Sequence, residues 1–297
     1  MMNIKEYTNE VKATVEEKLG GHNEVTLQSK VSGDKVLSGL SVKNKNSNLA
    51  PTVYLDKMFE NGMSVDEAAN KLIKMIKDAP LQTNLDVDFF RTFSGVKDRV
   101  LVRLISDESA SLYVAQGYIV RPLVEGLNKL YYVPVELGDE DGVGTIVVNR
   151  NHLTLWGITD DELDEVATSN TENSSDFVID SLFKTIAKLT GMPFDMFCEP
   201  DPSMGIWVVS NSNSMFGANN LMNTNALGEV LNKMSVDSMY ILPSSIHEVL
   251  CVPSSLEVNV NDLVEMVKTV NAEEVSAEDK LSDIVYLYSR ETGLTVA

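Results

Sequence analysis

Residues Met239–Val252 read MYILPSSIHEVLCV, two apolar runs, Met239–Leu242 and Ile246–Val252, parted only by Pro243, Ser244 and Ser245. A parallel crossover needs a dozen or more connecting residues, so a three-residue break predicts an antiparallel hairpin. Ile206–Val209 upstream and Ile284–Tyr288 downstream are likewise strand-like, and Ile206–Val209 is apolar at every position, the pattern of a strand covered on both faces. These four runs are expected to share one sheet. A helix behind Asn261 that carries Leu263, Met266, Val267 and Val270 should cover one of its faces, with Met266 buried.

The same two periods recur toward the N-terminus. Val100–Ile105, Tyr118–Val124, Leu130–Leu137 and Thr145–Val148 read as strands, and Glu24–Val31 with Val36–Val42 form a hairpin about Ser32-Gly33-Asp34. Ile4, Tyr7, Val11, Val15 and Leu19 step by three or four and predict a helix that stops at Gly20-Gly21. Ser64 with Glu67, and Thr159 with Glu162, are capping boxes, each ahead of an apolar helix face. Ser175 is read as opening a helix whose Ile179, Leu182, Phe183 and Ile186 share a face before Gly191. Strands follow strands as often as helices do. The expected class is therefore α+β, with mostly antiparallel or mixed sheets covered by amphipathic helices, and not a doubly wound fold.

A chain of 297 residues with 43% apolar side chains can build a real core as one large or two modest domains. Charge divides unevenly: residues 1–105 hold 15 basic and 14 acidic side chains, residues 106–297 hold 9 and 30. That contrast sets a charge-balanced region, 1–105, against an acidic region, 106–297, within two domains or one continuous domain. The turn-rich segment Gly138–Gly144 near this boundary reads as a linker or as a hairpin loop, and Ser210–Asn225 is the one Asn/Ser-biased stretch. A net charge of −20 repels nucleic acid and anionic membranes, so no direct nucleic-acid binding is expected. Neither an apolar signal core nor a run of 18 uncharged apolar residues is present. Cys198 and Cys251 stand far apart without a C-x-x-C or Cys/His cluster, which points away from a disulfide framework or structural zinc and toward a reducing cytoplasm.

No dinucleotide, P-loop, zincin or esterase motif occurs, so neither a cofactor nor a metal is expected. Gly142-Val143-Gly144 reads as a turn, and Asp139, Glu140 and Asp141 as a solvated hairpin tip without the spacing of a calcium loop. His22 reads as a helix-end residue and His152 as one that hydrogen-bonds a turn. Around His247, a period of two would place Ser245, His247, Val249 and Cys251 on one strand face, bringing hydroxyl, imidazole and thiol into a row. Same-face neighbours on one strand stand about 6.6–7 Å apart, which strains a nucleophile–base contact. The structural or ligand-contacting reading of His247 is therefore preferred. The catalytic alternative is a small hydrolase or transferase using Ser245, His247 and Glu248, with Cys251 as a further candidate.

Leu242–Leu250 (LPSSIHEVL), Asn151–Thr159 (NHLTLWGIT), Leu49–Leu55 (LAPTVYL) and Leu281–Gly293 (LSDIVYLYSRETG) together resemble a family of uncharacterised proteins from clostridial Gram-positive bacteria, often encoded on mobile elements. The resemblance spans nearly the whole chain. It implies a bacterial, cytoplasmic protein and carries over no activity. The preferred expectation is a non-enzymatic binding or interaction protein, an accessory of a mobile element whose acidic surface engages a basic host protein. Acidic clusters at Asp160, Asp161, Glu162, Asp164 and Glu165 and at Glu273, Glu274, Glu278 and Asp279 would carry that surface, although the first also suits a helix N-terminus and the acidity also serves solubility.

Overall fold

Asn3 caps helix α1 (Ile4–Leu19): its side chain accepts from Glu6 N–H and the Glu6 carboxylate reaches back to Asn3 N–H. The computed structural model describes residues 2–20, 23–44, 50, 52–78, 88–136, 143–198, 200–243, 245–256 and 258–297. His22, Asp139–Gly142 and Ser244 lie outside these residues. The chain divides into two compact units, Met1–Asp88 and Phe89–Ala297.

In the first unit, α1 is followed by β1 (Asn23–Ser32), β2 (Lys35–Asn44), β3 (Thr52–Tyr54), α2 (Asp56–Glu60) and α3 (Val65–Asp78). β1 and β2 pair over their whole length with Ser32 opposite Lys35, leaving a two-residue turn in which Gly33 takes a left-handed φ of 60°. The Ser64–Glu67 box opens α3, whose Ala68, Ala69 and Leu72 pack with Tyr7, Val11, Val15 and Leu40. Both predicted helices and the hairpin form as read.

The second unit contains α4 (Phe93–Val96), β4 (Leu101–Ile105), α5 (Asp107–Ala115), β5 (Val120–Val124), β6 (Leu127–Glu136), β7 (Val143–Val147), α6 (Arg150–Trp156), α7 (Asp160–Glu172), β8 (Val178–Ser181) and α8 (Leu182–Thr190). It continues with β9 (Trp207–Ser210), α9 (Thr224–Met234), β10 (Ser238–Leu242), β11 (Val249–Pro253), α10 (Val260–Glu273), β12 (Tyr286–Ser289) and β13 (Gly293–Val296). β6 pairs with β4, β5 and β7, and a six-stranded sheet runs β13-β12-β10-β11-β9-β8. Every strand pairing among the described residues is antiparallel, so the class is α+β with antiparallel sheets. The four C-terminal runs do share one sheet.

Three readings are corrected. The segment behind Ser175 is not one helix: Val178–Ser181 pairs with β9, and Ser181 caps α8 by accepting from Lys184 N–H. β-branched Val178 and Ile179 gain more from the sheet than from a helix start. Residues 245–248 are not strand. Only Val249 onward joins β11, because Ser245 bridges Lys280 and Ile246 N–H donates to Asp279 O, which turns the chain away from the ladder. Met266 is 51% exposed, because the buried stripe of α10 runs Leu263, Val267, Asn271. Asn271 is admitted to that stripe because its amide nitrogen donates to Ser282 O and to Asp283.

The Asn/Ser run is a built element rather than a loose one. Asn211 closes a ring with Met215, donating to its carbonyl and accepting from its N–H, and a 3-10 turn, Gly217–Met222, is buried throughout. Asn219, Asn220 and Asn223 donate to the carbonyls of Val102, Ser210 and Ser174 respectively.

Candidate functional site

Ser245, His247 and Glu248 sit in the bend between β10 and β11, held by backbone bonds on two sides. Ala218 N–H donates to Ile246 O, and Ser282 N–H to Pro243 O. Gly217 makes the close approach possible, since a Cβ there would stand 2.5 Å from His247 O. Ser210 Oγ donates to the same carbonyl at 2.8 Å.

Both nitrogens of the His247 ring are engaged. Nδ1 accepts from Phe216 N–H at 3.4 Å, which leaves the proton on Nε2, 3.1 Å from Asp279 Oδ1. Asp279 Oδ2 accepts in turn from Ser276 Oγ. The imidazole is stacked on Phe216 with an interplanar angle of 9°. Phe216 itself holds a left-handed φ of 59°, Tyr132 meets its edge, and the Arg103 guanidinium lies 4.3 Å from its ring centroid. Arg103 Nε is buried with no hydrogen-bond partner among the described residues.

The predicted hydroxyl, imidazole and thiol do not meet. Ser245 Oγ accepts from the His247 backbone N–H at 3.0 Å, while the ring nitrogens are taken by Phe216 and Asp279, so the hydroxyl does not address the ring. Burial pushes the Glu248 carboxyl above its ordinary value, and the neighbouring His247 and the Ser245 hydroxyl offset this only in part. Cys251 lies on β11, wholly buried, its thiol pushed up to about 12 by burial. A thiol in that state is not a nucleophile at neutral pH. His247 thus ties three segments together, Phe216, Asp279 and its own bend. His152 closes the cap of α6, its Nδ1 accepting from Asn149 N–H.

The acidic cluster at the start of α7 is largely consumed within the fold. Glu162 completes the Thr159 box, Asp160 pairs with Arg150 and Asp161 with Arg121. Asp164 is approached by Lys129, Tyr131 and Thr168. Burial alone would raise its carboxyl, but those three donors hold it below the usual carboxylate range, and Tyr131 is raised by burial and by its bond to Asp164.

A different place carries the features of a binding site. A cleft of about 620 Å³ opens between β8, α8, β9 and α9. Its floor is Ile179, Ala187 and Trp207, with the exposed Met192 and Phe194 at its mouth. Lys184, Lys188 and Lys233 surround it, three of the nine basic residues that follow residue 105. Lys184 and Lys188 both pair with Asp180 at 2.5 Å, and Lys233 Nζ lies 5.8 Å from the Trp207 ring centroid. Burial would raise Asp180, yet the two ammonium groups hold it low. Beyond Trp207, a second cavity of about 280 Å³ is lined by Leu182, Phe183, Pro200, Pro202, Met204 and Ile206 among others.

Residues 4–290 match the family described as a family of unknown function, DUF5688. The chain belongs to the DUF5688 family. The matched span takes in the His247 bend and the whole cleft of this DUF5688 protein. No curated protein and no solved structure matches the chain. Among its described residues no group of His, Cys, Asp and Glu is placed to hold a metal, and no helix is long and apolar enough to cross a membrane. The cleft of the DUF5688 chain escaped sequence reasoning because residues 175–186 read as a single helix, which hid the strand Val178–Ser181 and its pairing with β9 that sets Ser181 opposite Trp207. The usable signal was lysines four apart, with a preceding carboxylate, in an otherwise acidic region.

Proposed function

We propose that this protein is a non-enzymatic binding protein and that its ligand occupies the cleft between β8, α8, β9 and α9. The observation that carries this is the collection of Lys184, Lys188 and Lys233 around an apolar floor that includes Trp207, within a region so short of cations. A volume of about 620 Å³ lies inside the range of roughly 300–1,000 Å³ usual for small-ligand sites, and the apolar Ile179, Ala187, Met192, Phe194 and Trp207 share its lining with Asp180, Ser181 and the three lysines. The engaged His247 nitrogens and the buried Cys251 speak against the hydrolase reading. We place the protein in a reducing bacterial cytoplasm, which suits an exposed free Cys198 beside a buried free Cys251.

The test uses protein labelled with ¹³C at methionine methyl groups and challenged with a panel of small apolar carboxylates, phosphates, amines and neutral compounds. Shifts at Met192 and Met204 that leave Met58 and Met75 unmoved are expected. A panel that moves neither Met192 nor Met204 overturns the reading.

A second reading, capture of a basic host protein by a mobile-element accessory, draws support from α10. Glu273 and Glu274 stand at that helix's C-terminal end, where the helix dipole disfavours carboxylates and capping cannot explain them. Capture of host proteins at about 50 mM salt that is lost at about 300 mM would support it, and retention of no basic protein at the lower salt dismisses it.

A further inference from the structure

Resting on the reading of the cleft as a ligand site, we propose that its ligand is an amphipathic organic anion: one carboxylate or phosphate head among Lys184, Lys188 and Lys233, and an unbranched apolar chain that passes Trp207 into the second cavity. The two cavities share Ser181 and Trp207, so they flank one side chain rather than lying apart. They differ in character as the two ends of such a molecule do. Among the described residues the first holds three ammonium groups against the carboxylate of Asp180 in its lining and that of Glu229 beside Lys233, and so keeps an excess of one positive charge. Among the described residues the second has no charged side chain in its lining and is walled by Leu182, Phe183, Met204, Ile206 and two prolines.

The pairing of two lysines on one nearly buried carboxylate is what pre-organises the head site. Asp180 holds both Nζ groups in place, yet it neutralises only one of them, and an incoming anion completes the balance without reorganising either side chain. Lys233 approaches from α9, its ammonium near the Trp207 face and bonded only at 3.5 Å to Glu229, so it can turn toward the head. Apolar side chains at and around the two cavities point the same way. Leu189, Met192, Phe194, Met196 and Met204 are all exposed, and unbranched, polarizable methionines adapt to a flexible chain. A cationic or neutral amphiphile would meet the same apolar walls and lack the attraction. An anionic membrane would meet a protein of net charge −20, which favours a single molecule over a lipid surface.

The test measures binding of octanoate, decanoate, dodecanoate and dodecyl phosphate below their micelle concentrations, with dodecyltrimethylammonium and a neutral dodecyl glycoside as controls, by Met192 and Met204 methyl shifts and calorimetry. Affinity should rise about fourfold per added methylene while the chain is still entering the apolar cavity. The combined change Asp180→Asn, Lys184→Gln, Lys188→Gln removes the cations without stranding a buried carboxylate, and Lys233→Gln tests the third. The triple variant should weaken dodecanoate at least about fivefold and leave the neutral glycoside unchanged. Equal binding of cationic, neutral and anionic probes overturns the anion while leaving the cleft a ligand site. Failure of every probe to shift Met192 and Met204 overturns both. Co-sedimentation with phosphatidylglycerol vesicles, without binding of the free acids, replaces the single molecule by a membrane surface and also overturns the proposal.

Discussion

Gly217→Ala tests whether the His247 bend is as tightly held as its contacts indicate. A Cβ at this position would stand 2.5 Å from His247 O, 2.5 Å from Ser210 Oγ and 2.8 Å from Asn211 N. Two of those atoms are backbone, so relief requires the 247 bend or the 210–211 strand end to move by about half an ångström or more. Overpacking of this kind costs about 1–3 kcal/mol. The same movement breaks the Ser210 Oγ–His247 O bond of 2.8 Å, worth about 0.5–1.5 kcal/mol net. The expected loss is about 2–4 kcal/mol. Both tryptophans, Trp156 and Trp207, lie in Phe89–Ala297, so intrinsic fluorescence in urea reports the unit that carries the change. With a urea slope of about 2–3 kcal/mol/M, the midpoint should fall by roughly 0.7–2 M. Gly228→Ala is the matched control. That glycine lies inside α9, a Cβ there would meet nothing nearer than Arg290 Nε at 3.9 Å, and the gain in helix propensity is up to about 1 kcal/mol. A Gly217→Ala protein within about 0.5 kcal/mol of its parent, while Gly228→Ala behaves as stated, would refute the close-approach argument.

Glu248→Gln should stabilise the protein at pH 7 relative to the parent. The native carboxyl is raised by burial, so the stability its neutral form permits is complete below the ordinary carboxylate value and is lost as pH rises through the native one, and the advantage of the variant should vanish below about pH 4 in pH-dependent melts. Asp164→Asn should lower stability at neutral pH by about 1–3 kcal/mol, since Lys129 loses its charged partner, and the parent's advantage should shrink as acid protonates Asp164, whose native value is depressed. Leu263→Ala should cost about 2–5 kcal/mol and Met266→Ala less than about 0.5 kcal/mol in denaturant melts, because only the former is buried, and equal losses would contradict the phase assigned to α10.

What the sequence made legible was local. Asn3, Ser64 and Thr159 announce helices through contacts three residues away, and Gly33 marks a turn through its own backbone, so α1, α3, α7 and the β1–β2 hairpin follow from short windows. The C-terminal sheet was legible because its strands are apolar on both faces. Readings went astray where a distant partner decides. Ile179 fits a helical stripe until β9 claims it, and Ile246–Glu248 extend an apolar run until Asp279 and Lys280 draw them out of the ladder. Met266 turns outward while Asn271 turns inward, where its amide nitrogen donates to Ser282 O and Asp283 and its Oδ1 has no partner among the described residues, and nothing near position 271 in the sequence foretells that. Composition marked Ser210–Asn225 only as biased, and could not show that Asn211, Asn219, Asn220 and Asn223 each donate to a backbone carbonyl. At the candidate site, His247 was visible as an isolated histidine, whereas the cleft depends on Trp207 and Lys233 arriving from separate elements.

The outer strand β8 is four residues long and ends one side of the six-stranded sheet, with β13 of equal length at the other. An open edge is a template on which another chain can polymerise, and short strands with lysines beside them are the usual protection. Lys184 and Lys188, tethered from α8 to Asp180, put two positive charges on that outermost strand as well as at the cleft. On the ligand reading proposed above, exchanging either lysine for an apolar side chain to deepen the cleft would also remove a charge near an outermost strand and near the exposed Leu189, Met192 and Met196, and should raise the tendency to aggregate.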